Sequence, residues 1–136
     1  GWRGRSLSLG IADSVTVLAK DAASADAAAT LIANAVDADH PAIHRAPAAQ
    51  LRDETDLGDL CVTVAVGPLP ESSICKALLR GVERAEAMRD AKLIMAASLT
   101  LQGQTRMVQP QTTASTADPP AWAMSDSASS KGVVHA

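Results

Sequence analysis

The stretch that decides the fold is SVTVLAKDAASADAAATLIANAV, residues 14–36, which changes from a strand pattern to a helix pattern. Val15 and Val17 share one face of a strand that ends before Lys20. From Ala22 to Val36 alanine predominates and neither Gly nor Pro occurs, which favours a helix. Asp21 stands where its side chain can cap the first helical turn. A strand followed by a helix is therefore the first unit of the fold.

The same patterns predict the remaining elements outward from this unit. They are two short strands or one bulged strand over residues 6–18, an irregular connection over 41–59, a strand over 60–66, a helix over 72–88 and a last strand over 93–101. The run Leu60–Val66 is almost continuously apolar, which is typical of a strand at the centre of a sheet. Together these elements predict an α/β fold of the α+β type, with a mostly antiparallel sheet covered by two helices.

One partial domain over residues 1–108 and a tail over 109–136 are expected from the change in composition. From residue 109 onward Ser, Thr, Ala, Pro and Asp dominate, which is typical of disorder. The chain contains neither Phe nor Tyr, so its core must consist of Leu, Ile, Val and Met. Such a small core is marginally stable, and a missing segment or a partner subunit would help it.

The composition also argues against two classes of partner, nucleic acids and membranes. The formal net charge of −3 and the dispersed basic residues argue against nucleic acid. No apolar run approaches the roughly 20 residues that cross a bilayer, so no membrane association is expected and the default location is cytoplasmic. Cys61 and Cys75 form no metal-binding or redox pair and are expected to be buried, free thiols.

Asp26, Thr30 and Asn34 recur every four residues and form a polar stripe on one face of the first helix. A carboxylate and a hydroxyl one turn apart can share a hard cation, which prefers oxygen ligands. Asp26 and Thr30 are therefore a candidate metal site. The alternative is an ordinary solvated face of an alanine-rich helix.

The segment GWRGRS, residues 1–6, offers a candidate anion site. The guanidinium groups of Arg3 and Arg5 can pair with phosphate, and the Ser6 hydroxyl can donate to it. The alternative is a frayed basic terminus. No GxGxxG, GxxxxGK[ST] or GxSxG motif occurs, which argues against a Rossmann site, a P-loop and a hydrolase elbow.

The blocks GWRGRSLSLGIADSVTVLA (1–19) and ADAAATLIANAV (25–36), with later matches at DLGD (56–59), VTVAVG (62–67) and LTLQG (99–103), resemble an uncharacterised ApbE-like family of bacterial and archaeal proteins. That family is distantly similar to the ApbE FAD:protein FMN transferases. Its members are about twice as long, so the chain resembles their C-terminal half. The first half is expected to supply much of the ligand pocket.

The resemblance implies a magnesium ion at Asp26 and Thr30, because the matching aspartate and threonine of the transferases bind Mg²⁺ that helps to hold the pyrophosphate of FAD. The transferases' His-x-x-Asp-Pro segment has no counterpart here. We expect a protein that binds a flavin nucleotide or another phosphate-bearing ligand through Mg²⁺; if enzymatic, it would be a related transferase. The alternatives are a non-catalytic domain that packs its sheet against another copy, or a truncated gene product without independent activity.

Overall fold

The computed structural model describes residues 1–52 and 55–111, and within them it shows an α+β fold of two helices and five strands. In chain order the elements are β1 (Ser14–Leu18), α1 (Ala22–Ala35), β2 (Ile43–Pro47), β3 (Cys61–Val66), α2 (Glu71–Asp90), β4 (Ala96–Leu101) and β5 (Gln104–Val108). A single 3₁₀ turn, Ala48–Gln50, follows β2. The expected fold class is confirmed.

The main sheet is antiparallel, has the strand order β1-β4-β5 and carries both helices on one face. Alternate residues of β4 are buried, because one side of the strand faces the helices and the other faces outward. The largest fully buried side chains are those of Ile11, Ile32, Val36, Val62, Leu78, Leu99 and Leu101. The core is therefore aliphatic, as the absence of Phe and Tyr required.

The helix α1 begins as predicted. The Asp21 side chain accepts a hydrogen bond of 2.8 Å from the backbone N–H of Ser24, which satisfies one of the unpaired donors of the first turn. The helix α2 is three residues longer than the predicted range 72–88 and ends in a Schellman motif. There Leu93 N–H bonds Met88 O and Lys92 N–H bonds Arg89 O.

The strand β5 was not predicted, because its sequence QTRMV is mostly polar and only Val108 is buried. It forms because β4 reverses through a two-residue turn at Gln102 (φ 45°) and Gly103 (φ 81°), flanked by the pair Leu101 and Gln104. Two successive positive φ values give the turn type whose twist matches a hairpin. We predicted a last strand that ends at residue 101, but the Gln102-Gly103 pair is the turn that joins β4 to β5.

The strands β2 and β3 form a separate two-stranded sheet, which corrects two predictions. Residues 41–59 are not wholly irregular, because Ile43–Pro47 pairs along β3 despite its His, Arg and Pro. The strand over 60–66 is not central: β3 pairs with β2 alone among the described residues. Cys61, at the start of β3, is exposed rather than buried. Cys75 is partly buried, and both thiols are free.

Residues 109–111 lie in neither a helix nor a strand, and the rest of the predicted tail, from residue 112, lies outside the described residues. Among the described helices, none combines the length and the apolar character that a membrane span requires.

Candidate functional site

Residues 1–11 lie against the C-terminal half of α1 and are anchored at two points, one on the helix and one on the residue that follows it. Asn34 Oδ1 accepts a hydrogen bond of 3.1 Å from the Leu9 backbone N–H. Ile11 N–H donates to Val36 O at 2.8 Å. Gly10 lies so close to the helix that a β-carbon there would be 2.8 Å from Val36 O and 2.9 Å from Asn34 Cα. The approach of this segment to α1 therefore requires glycine at position 10.

The small sheet holds the same segment from the other side. Thr63 N–H donates to Ser8 O at 2.8 Å, and the guanidinium of Arg45 donates to Leu9 O. Arg45 also pairs with Asp37, just after α1, and donates to Thr63 Oγ1 at 3.2 Å. Residues 8 and 9 are consequently clamped between α1 and the β2–β3 sheet.

A small cleft of about 60 Å³ opens between this segment and α1. Its lining consists of Gly1, Ser6, Leu7, Ser8, Thr30, Ala33 and Asn34. Ser6 from the predicted anion segment and Thr30 from the predicted metal pair thus lie at one cleft, although they are 24 positions apart in the chain. Asp26 is exposed one turn before Thr30 on the same helix.

The Thr30 hydroxyl donates its proton to the backbone carbonyl of Asp26 at 3.1 Å. Because that proton is used within the helix, the oxygen lone pairs of Thr30 remain available to a cation or to a donor group. The two predicted metal residues therefore present a carboxylate and a hydroxyl acceptor from adjacent turns.

Arg3 and Arg5 lie at the outer edge of the segment, and both are exposed. The Arg3 guanidinium lies 5.0 Å from the Trp2 ring centroid and 3.7 Å from Asp13 Oδ1. The Arg3 side chain is 67 % exposed, and an exposed ion pair contributes little stability. The Arg3 guanidinium can therefore leave Asp13 and bind another anion. The Arg5 backbone carbonyl accepts from the Arg52 guanidinium.

The donor set at Asp26 and Thr30 fits a particular kind of cation. Within residues 1–52 and 55–111, no group of three or more His, Cys, Asp or Glu side chains is placed to hold a metal ion. Two protein oxygens alone do not make a closed site. Mg²⁺, however, is commonly held by one or two protein ligands, several waters and the phosphate of the ligand. The residues present therefore fit an ion that arrives with a phosphate-bearing molecule.

Two polar side chains position the segment in ways that sequence patterns did not reveal. Asp13 accepts hydrogen bonds from Trp2 Nε1 at 3.2 Å and from the Gln102 backbone N–H at 2.6 Å. Arg45 joins three parts of the chain, as described above. No local pattern marks either residue, because their partners are distant in sequence. Asn34 stood in the predicted stripe, but its partner Leu9 was not foreseen.

Comparison with known protein families matches residues 1–107 to the family described as "AbpE bacteria". The same comparison with curated proteins and with solved structures gave no match.

Proposed function

Since the chain belongs to the family described as AbpE bacteria, we propose that it binds a phosphate-bearing ligand, with a flavin nucleotide as the first candidate, through Mg²⁺ at α1. Asp26 and Thr30 hold the ion, and Arg3, Arg5 and Ser6 contact the phosphate. When bound, Mg²⁺ neutralises negative charge on the phosphate groups. The similarity to ApbE transferases, which supplies the flavin nucleotide and the transferase reaction, stays a prediction.

The observation that carries the proposal is the shared cleft of Ser6 and Thr30. A phosphate at the mouth of this cleft would meet the Ser6 hydroxyl on one wall and Thr30 on the other, with Asp26 one helical turn before Thr30. The cleft is far smaller than the several hundred cubic ångströms that a whole cofactor requires. The site therefore suits the phosphate end of a larger ligand whose remaining contacts lie elsewhere.

The proposal is tested by titrating FAD into the full chain with and without Mg²⁺, followed by flavin fluorescence and calorimetry. We expect saturable binding that requires Mg²⁺, and inorganic pyrophosphate should compete because the phosphates make the contacts. Asp26→Asn and Thr30→Val should each weaken the Mg²⁺-dependent binding by about tenfold or more, as expected for a lost metal ligand.

Asp39→Asn is the matched control, because Asp39 is an exposed carboxylate outside α1. This variant should bind FAD as tightly as the parent chain. Absence of binding in the presence of Mg²⁺, or equal affinity in Asp26→Asn and the parent chain, would show that the site does not have this function.

A second candidate function is assembly with another copy through the outer face of the main sheet. The residues on this face alternate with the buried ones and carry no charge: Ser14, Thr16, Leu18, Ala96, Ser98, Thr100, Thr105 and Met107. Met107 is 68 % exposed and borders a shallow apolar depression of about 140 Å³. An uncharged, partly apolar sheet face of this kind is typical of an interaction surface.

Sedimentation of the chain against concentration tests this candidate. A dimer that Ser98→Lys converts to a monomer would support it, because a lysine would be buried without a partner. Val64→Lys, at an exposed position of β3, is the control and should leave the dimer intact. A chain that stays monomeric across the whole concentration range excludes assembly through this face.

A further inference from the structure

A second cavity lies at the opposite end of β1 from residues 1–13, and it shares no lining residue with the cleft at Thr30. Its volume is about 380 Å³, within the range of small-molecule sites. Leu18, Ile94, Met95 and Pro110 form its apolar part. Leu18 is 55 % exposed and Met95 is 40 % exposed, so both present apolar surface that a ligand could cover.

The rim of this cavity is cationic. Lys20, Arg89 and Lys92 line it, and no carboxylate is among its lining residues. Arg89 donates to Asp90 Oδ1 at 3.1 Å and to Gln109 O at 3.3 Å, so its charge is partly compensated and its position is fixed. Within the described part of the chain, neither lysine forms an ion pair. The two ammonium groups therefore give the rim a net positive charge.

The carbonyl groups near the C-terminal end of α2 are hydrogen-bonded, so they offset little of the positive charge of the rim. The carbonyl oxygens of Ala87, Met88 and Arg89 accept backbone hydrogen bonds from Ala91, Leu93 and Lys92. The helix dipole still favours cations at this end, which helps to hold Lys92 there. These three carbonyl groups therefore present no unpaired acceptor to an anion at the rim.

We propose that this cavity binds an amphipathic anion, a molecule with an apolar body and one carboxylate or sulfonate group. The apolar body lies against Leu18, Met95 and Ile94, and the anionic group lies between Lys20 and Lys92. The charge of the rim selects an anion over a neutral or cationic molecule of the same shape.

The test uses 8-anilinonaphthalene-1-sulfonate, whose fluorescence rises on apolar surfaces, titrated into the full chain. We expect saturable binding that weakens with added salt, because the rim lysines are exposed. Octanoate should displace the dye, whereas octanol should displace it poorly and octyltrimethylammonium should not. The double variant Lys20→Gln, Lys92→Gln should bind the dye about fivefold more weakly, with a smaller dependence on salt.

Matched controls separate this cavity from other apolar surface. Leu18→Ser should weaken dye binding, whereas Leu79→Ser, at a similarly exposed leucine of α2, should not. Lys76→Gln and Asp26→Asn should also leave it unchanged. Equal dye affinity in the double variant and the parent chain overturns the proposal. Absence of saturable binding does so too, and sedimentation at the same concentration then shows whether a second copy covers the cavity.

Discussion

The side chain of Asn34 on α1 accepts a hydrogen bond from the backbone N–H of Leu9, 25 positions earlier in the chain. This contact helps to join the segment that carries Arg3, Arg5 and Ser6 to the helix that carries the candidate metal residues. The Leu9 carbonyl is bound from the other side by Arg45. The geometry of the cleft therefore depends on side chains that need not touch a ligand.

Asn34→Ala is predicted to weaken Mg²⁺-dependent FAD binding more than it weakens the fold. Loss of one partly buried hydrogen bond should lower the free energy of unfolding by only about 1 kcal/mol. The Leu9 backbone would lose its anchor, so Ser6 would no longer be held beside Thr30. Affinity from calorimetry and stability from denaturant unfolding, measured on the same variant, check the two effects separately.

Asn34→Asp is the control, because a carboxylate oxygen can still accept from Leu9 N–H. It should retain most of the affinity that Asn34→Ala loses. If the two variants bind FAD equally, the hydrogen bond to Leu9 does not position the site.

Gly81→Ala is predicted to destabilise the fold even though Gly81 lies inside a helix. A β-carbon there would be 2.5 Å from Leu99 Cδ2 and closer still to Val36 Cγ2, and both side chains are fully buried. Alanine favours helices by up to about 1 kcal/mol over glycine, but overpacking a core costs about 1–3 kcal/mol. Denaturant unfolding should show a net loss of about 1–2 kcal/mol.

Combining Gly81→Ala with Val36→Ala tests the cause, because the second change removes one of the two methyl groups that clash. The double variant should be less destabilised than the sum of the single variants by about 1 kcal/mol. Strict additivity would show that the loss arises elsewhere.

Sequence patterns predict the elements that are determined by interactions between residues close together in the chain. The helix α1 follows from its alanine content and from Asp21, three residues before its bonding partner Ser24. The strand β5 has little pattern of its own, and it exists because the turn at Gln102 returns the chain along β4. Likewise, spacing along α1 placed Asp26 and Thr30 on one face, but only the fold brings Ser6 to the same cleft.

Asp21 makes α1 sensitive to acid. The hydrogen bond from the Ser24 backbone N–H lowers the pKa of the Asp21 carboxyl below its ordinary value of 3.8, and the bond from the Ser24 side chain adds to this. A lowered folded-state pKa means that the carboxylate stabilises the fold above this ordinary value and ceases to do so as pH falls through the folded-state value. Asp21→Ala should therefore be less stable than the parent chain near neutral pH, and the difference should shrink in strong acid.

Asp21→Asn separates charge from capping, because asparagine caps a helix without titrating. Its stability should stay close to that of the parent chain near neutral pH and should not follow the Asp21 titration in acid. Denaturant unfolding of all three chains across the acid range provides the comparison. A stability difference between Asp21→Ala and the parent chain that is the same at every pH would contradict the prediction.

Lys92→Gly is predicted to stabilise the protein. Lys92 is the second residue after α2, which ends at Asp90, and has a φ of 60°, a left-handed conformation that glycine adopts freely and that a side chain disfavours. Relief of that cost should raise the free energy of unfolding by about 0.5–1 kcal/mol, measured by denaturant unfolding. Lys76→Gly makes the same change inside α2, where the backbone is helical, and should instead lower stability by about 1 kcal/mol. If Lys92→Gly is also destabilising, the stabilisation of the helix end by the Lys92 side chain exceeds the free-energy cost of its left-handed backbone.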